Sequence, residues 1–108
     1  MFVNIVRYPA VKPGSDAAFR EWFVESNEAY ARFPGFIRRR LLIPREGGTY
    51  AAVVEHDSFD SFMAMHNSDT QKELREKVMP LLEGKPEPGF FEVVEGGVPA
   101  ASIGKSGE

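Results

Sequence analysis

Phe36-Ile37-Arg38-Arg39-Arg40-Leu41-Leu42-Ile43-Pro44-Arg45-Glu46-Gly47-Gly48-Thr49-Tyr50-Ala51-Ala52-Val53-Val54-Glu55-His56 reads as a β-hairpin. Phe36 to Ile43 is one strand, ended by Pro44, and Thr49 to His56 returns after the Glu46-Gly47-Gly48 turn. Each flank of the hairpin is helical. Upstream, a Lys12-Pro13-Gly14-Ser15 turn precedes a helix to about Phe33, with Phe19, Trp22, Phe23, Ser26, Tyr30 and Phe33 at three- and four-residue spacings. Ser15 or Asp16 can cap its start, and Pro34-Gly35 ends it. Downstream, Asp57 and Ser58 are N-cap candidates for a short helix from Phe59 to His66, and Ser68-x-x-Gln71 has capping-box spacing for the next. That helix presents Leu74, Val78, Leu81 and Leu82 on one face, with Pro80 tightening its last turn. The outermost elements are strands again: Phe2 to Tyr8, stopped by Pro9, and Phe90 to Val94 after a Gly84–Gly89 loop. The order βαββαβ predicts an α+β, ferredoxin-like fold, one antiparallel sheet with two helices on one face. It occupies residues 1–95, and 96–108, small and polar, reads as a flexible tail. Gly104-Lys105-Ser106 lacks a P-loop's context, since Pro99 stands where the first glycine is needed.

The composition fits one soluble domain: 108 residues, 43% hydrophobic and 27% charged. A formal net charge of −3 argues against nucleic acid as partner, because phosphates need a basic surface. With no cysteine there is no disulfide, thiolate nucleophile or cysteine-ligated metal site. The start, MFVNIVRYP, is not a secretory signal, and no apolar run approaches the ~20 residues of a membrane span, so a cytoplasmic protein is expected.

Alternation along the first strand puts Val3, Ile5 and Arg7 on one face and Phe2, Asn4, Val6 and Tyr8 on the other. The fourth strand is apolar on both faces. Helices cover only one side, so the second apolar face predicts a symmetric homodimer.

The Lys12-Pro13-Gly14 turn, Pro34-Gly35-Phe36, Val53-Val54-Glu55-His56-Asp57-Ser58 and Met65-His66-Asn67-Ser68-Asp69, in this order, resemble the antibiotic biosynthesis monooxygenase (ABM) superfamily over residues 1 to about 95. The resemblance implies a dimeric α+β barrel with a cleft between helices and sheet in each protomer. It further implies a monooxygenase that takes a quinol-like or polycyclic aromatic small molecule and dioxygen without metal or other cofactor. The alternative is a non-catalytic small-ligand-binding dimer of the same fold. The haem-degrading branch of that superfamily uses an asparagine, a tryptophan and a histidine, and the corresponding positions here are Arg7, Met65 and Arg75, so the resemblance does not extend to haem degradation.

His66 is the candidate catalytic acid/base, since histidine titrates near neutrality; the alternative is a partly exposed helix-end histidine. Arg7 or Arg40 is the expected oxyanion partner. Alternation puts Arg38 and Arg40 on one strand face and Arg39 on the other, although solvated arginines paired with carboxylates would read the same way. Trp22 and Met65 are expected to line an aromatic cleft, with Phe19 and Phe23 as core. His56, where relatives have tryptophan, is a further candidate for substrate contact or for packing. Two histidines at this spacing make no metal site. Glu55, Asp57 and Asp60 read as caps and surface charges.

Overall fold

The computed structural model describes residues 1–96. The expected tail therefore lies, from residue 97 onward, outside the described residues. Four strands form one antiparallel sheet in the order β2-β3-β1-β4: β1 (Phe2–Arg7), β2 (Phe36–Leu42), β3 (Ala51–His56) and β4 (Glu87–Glu92). Helices α1 (Asp16–Tyr30), α2 (Phe59–His66) and α3 (Asp69–Val78) connect them. No helix among the described residues is long and apolar enough to cross a membrane.

The helix-covered face is the one carrying Phe2, Asn4 and Tyr8 of the β1 segment with Ala52, Val54 and His56 of β3, all buried. Phe19, Trp22, Phe23, Ser26 and Tyr30 of α1 pack there, the stripe expected from helical spacing. Ser58 and Ser68 cap α2 and α3 by accepting from the N–H groups of Ser61 and Gln71, each at 3.1 Å. Pro80 lies in a 3₁₀ turn, Met79–Leu81, that tightens the end of α3. That turn is strapped to the β1–α1 loop, since Lys12 N–H donates to Leu81 O and Glu83 N–H to Ala10 O, both at 2.8 Å.

Three sequence expectations shift. The first helix stops at Tyr30 rather than Phe33. The fourth strand begins at Glu87, so Pro88 and Gly89 are inside it rather than in a loop. An edge strand tolerates proline because one row of its N–H groups has no neighbour to bond. Most consequential is a break in β2's pairing: Phe36 faces His56, yet Arg38 faces the adjacent Glu55, leaving Ile37 as a bulge.

Among the described residues, no helix covers the other sheet face. Val3, Ile5 and Val53 are only partly covered there, and Phe91 of β4 is exposed. Glu55, expected as a plain surface charge, is buried to 8% exposure and pairs with Arg38 at 3.2 Å and Arg40 at 3.6 Å.

The entry to β2 turns on Gly35, whose φ of +88° is left-handed and whose carbonyl accepts from Asp57 N–H at 2.8 Å. A Cβ there would lie 2.5 Å from Asp57 Oδ1 and from Ser61 Cβ. Gly35→Ala should therefore cost ~3 kcal/mol or more in urea unfolding. Gly14→Ala, at φ +82° with nothing near, should cost only ~1 kcal/mol.

Candidate active site

The bulge at Ile37 turns Arg39 toward the helices, where it is 8% exposed. Its Nη1 donates to Ser26 Oγ at 2.6 Å and Asn27 Oδ1 at 2.8 Å, and its Nη2 lies 3.5 Å from the Tyr8 hydroxyl. The guanidinium carbon sits 4.0 Å from the ring centre of Phe23, 5.0 Å from Tyr30 and 5.4 Å from Trp22. None of the ion pairs among the described residues includes it. Burial lowers its pKa, but a guanidinium has so much margin that the cation persists at neutral pH. Hydroxyls, an amide and ring faces thus solvate a buried charge that has no carboxylate partner among the described residues. The Tyr8 phenol is pushed up by burial against the pull of Arg39.

Arg39 borders a cleft of about 110 Å³ between sheet and helices. Asn4, Val6, Tyr8 and Val54 contribute from the sheet side, and Trp22, Tyr30, Phe62, Met65, His66 and Val78 from the helices. Trp22 spans the helical layer, its Nε1 donating to Leu74 O of α3 at 2.8 Å. Gln71, Arg75, Pro86 and Pro88 complete the lining; Arg75 and Pro88 are exposed and mark the mouth. Asn4 is 5% exposed, and its Oδ1 has no hydrogen-bond partner among the described residues. A buried amide oxygen of that kind costs stability unless a ligand or water donates to it.

The two histidines have different surroundings. His66 is half-buried at the end of α2, its ring stacked on Phe62 with centres 5.4 Å apart. Burial, then the charge of Arg75, push its pKa below 6.5, so it is neutral at pH 7. His56 is fully buried between the rings of Phe36 and Phe62 and does not line the cleft. Its Nδ1 is 3.0 Å from Ser61 Oγ, which itself donates to Asp57 Oδ1 at 2.7 Å. Ser61 has one hydrogen, so Nδ1 is the donor, and Nε2 keeps a lone pair without a partner among the described residues. No cluster of three metal-ligating side chains occurs among the described residues.

The family model for antibiotic biosynthesis monooxygenase matches residues 1–77. The chain belongs to the ABM family. SnoaB, a cofactor-independent oxygenase from Streptomyces nogalater, is similar at 24% identity, covering 88% of this chain and 95% of that one with a TM-score of 0.75. A mutant of SnoaB is 25% identical, with the same coverage and a TM-score of 0.76. Rv0793 from Mycobacterium tuberculosis is 15% identical over 90% of this chain and 98% of its own, with a TM-score of 0.78. A conserved protein from Methanosarcina mazei Go1 is 18% identical over 84% and 91%, with a TM-score of 0.73. These likenesses establish the shared fold. Among curated proteins no sequence matches.

In this ABM chain the cleft brings together three of the six expected site residues, Trp22, Met65 and His66. His56 is behind the wall, as described. Arg7 lies on the uncovered face beside Ile5, Glu87 and Phe91, and Arg40 on that same face is tied to Glu55, so neither borders the cleft. The arginine that does is Arg39. Unbroken alternation from Phe36 puts Arg38 and Arg40 on that residue's side; the one-residue bulge inverts the phase and sends Arg39 inward instead. Asn4 was discernible from β1 alternation once the helix-covered face was known.

His56 carries a pH signature. Its folded pKa is below 6.5 because burial disfavours the imidazolium, so the unfolded chain binds the extra proton first. Stability is full above about pH 6.5 and falls as pH drops from there through the lowered folded value. Urea unfolding at pH 8 and pH 5.5 should show wild type losing stability at the lower pH, and His56→Phe should lose less. An equal loss in both would place the titration elsewhere.

Proposed function

We propose that the protein is a cofactor-independent monooxygenase of a small quinol-like or phenolic aromatic molecule. The observation that supports this most is the buried Arg39 cation, without a carboxylate partner, beside a cleft walled by Trp22, Met65 and Val54. Such a site favours an aromatic ring in its anionic form: the walls take the ring, the guanidinium takes the oxyanion. Cleft size favours one or two rings over a larger polycycle, since an apolar cavity of ~150 Å³ already holds benzene and this one is about 110 Å³ with an open mouth.

His66, neutral at pH 7, removes the phenolic proton. The phenolate, held by Arg39, passes one electron to dioxygen, and the resulting pair recombines at a ring carbon bearing hydrogen, ortho or para to the oxygen. The hydroperoxide so formed loses water. That carbon's C–H becomes C=O, one oxygen atom stays in the product, the other leaves as water, and the substrate supplies every electron. Asn4 Oδ1 accepts from a second hydroxyl of the substrate and fixes its orientation.

The same reading includes a homodimer closed through the uncovered sheet face. Val3, Ile5, Val53 and Phe91 supply its apolar centre, while Glu55 pairs with both Arg38 and Arg40 beside it and offsets one of their two charges. Sedimentation equilibrium should give twice the chain mass, and Ile5→Glu should give the monomer. A wild-type monomer at micromolar concentration overturns the assembly.

The single tryptophan lines the cleft, so quenching of its fluorescence reports occupancy directly. Oxygen uptake with a panel of quinols and naphthols should accompany quenching, and kcat/KM should rise with pH through a value below 6.5 and then level, because imidazolium cannot accept a proton. His66→Gln should reduce kcat by ~10²-fold or more, and Arg39→Met by a similar factor. Quenching without uptake would assign the non-catalytic binder, and uptake unchanged in His66→Gln would remove the base.

A further inference from the structure

The cleft's lining includes two arginines and a histidine and, among the described residues, no aspartate or glutamate. Yet acidic residues outnumber basic ones in the chain, 16 to 13. Arg39 explains the inner charge. Arg75, at the mouth, is a separate matter.

On α3 one stripe meets the cleft, Gln71, Arg75 and Val78, which is the i, i+4, i+7 spacing of a single helix face. Partners for Arg75 on its own helix would stand three or four residues away, at Gln71, Lys72, Val78 and Met79, and none is acidic. Two other exposed cations of the helices have partners, Lys77 meeting Glu25 at 2.8 Å and Arg20 meeting Asp16 at 3.4 Å, while Lys72, like Arg75, is in no ion pair among the described residues but does not line the cleft. No ion pair among the described residues includes Arg75. Its charge nonetheless reaches into the cleft, since it is one of the two causes that hold His66 below its ordinary pKa.

We infer that the ligand is an aromatic acid: its phenolic end lies inward at Arg39, and a ring carboxylate is held at the mouth by the guanidinium of Arg75 and the side-chain amide of Gln71. The planar fork of arginine suits a carboxylate, which it grips by two parallel N–H donors. At the mouth water competes, so the contact selects among ligands rather than supplying the bulk of affinity. The two cations also explain why an acidic protein admits an anion at all, since charge at the entrance raises the local concentration of anionic ligand. This inference rests on the phenol-binding reading of the cleft and adds the second functional group of the ligand.

The test is an anaerobic Trp22 fluorescence titration at pH 8, where His66 is neutral with or without its neighbour's charge. The probes are 2,5-dihydroxybenzoate, its methyl ester and hydroquinone. The acid should bind about tenfold more tightly than the ester, ~1.4 kcal/mol, with the ratio shrinking as salt is added. Arg75→Gln should bring the ratio to about one, and Arg75→Glu should make the ester the better ligand. Arg75 is exposed and makes no ion pair among the described residues, so both variants should fold as wild type. Equal affinities in wild type, or a preference that survives Arg75→Gln, overturns the inference. Oxygen uptake with the same three compounds separates it from the oxygenase reading. An Arg75-dependent preference for the acid without any uptake leaves this inference standing and removes the oxygenase, whereas uptake on hydroquinone and ester with no preference for the acid does the reverse.

Discussion

A guanidinium taken out of water must find replacements for its lost hydration, and the way Arg39 is accommodated sets the geometry around it. Burying an unpaired charge in an apolar medium costs several kcal/mol unless dipoles and rings are arranged to receive it. Here nearly all of them come from one helix. Trp22, Phe23, Ser26, Asn27 and Tyr30 share the inward side of α1 and present three ring faces, a hydroxyl and an amide to the cation. The reverse contact, Asn27 Nδ2 to Arg39 O at 3.2 Å, ties the helix to the strand backbone as well. Slide α1 by one residue and the set is lost together. Trp22 then carries the constraint onward through its bond to Leu74 O, so α3 and the far wall of the cleft are positioned by the same packing.

The three consecutive arginines of β2 show how position on a sheet decides chemistry. Arg38 and Arg40 point to the uncovered face and converge on Glu55, which offsets one of their two charges and fixes both side chains. Arg39, between them, points the other way and finds no carboxylate among the described residues. An acid placed within its reach would neutralise the charge and leave nothing for an anionic ligand. Leaving it unpaired is costly for stability and useful for binding, the exchange commonly met at functional sites.

The fold was legible because its signals are local: a Gly-Gly turn between β-rich runs, two serine caps, and an aromatic stripe at helical spacing all survive without knowledge of tertiary contacts. The family resemblance rested on equally local landmarks, the Lys12-Pro13-Gly14 turn, Pro34-Gly35-Phe36 and the segments that carry the two serine caps. What failed was the phase of one strand. Periodicity of two assigns faces correctly only while the ladder is uninterrupted, and the bulge at Ile37 carries no glycine or proline to announce it. Arg40 was thus expected where Arg39 stands. Arg7 lies away from the cleft for another reason: both faces of β1 are apolar, and sequence alone does not say which one the helices choose. Glu55 was misread because its partners lie across the sheet, visible only from the register.

His56 and His66 are ten residues apart in sequence and touch the same ring, Phe62, yet they are suited to different work. For His56, Ser61 and Asp57 lock the tautomer and dense aromatic packing surrounds the ring, so protonation means placing a cation where nothing faces Nε2. That is a device for holding a fold above a certain pH, and it offers a substrate no approach. His66 is held by stacking on Phe62 and an edge contact with Phe90, and it borders the cleft, where burial, then the charge of Arg75, lowers its pKa. A base needs a free lone pair, a path for the proton and a neutral resting state. Burial lowers the pKa of both rings, so what separates a base from a core residue here is access, and only His66 has it.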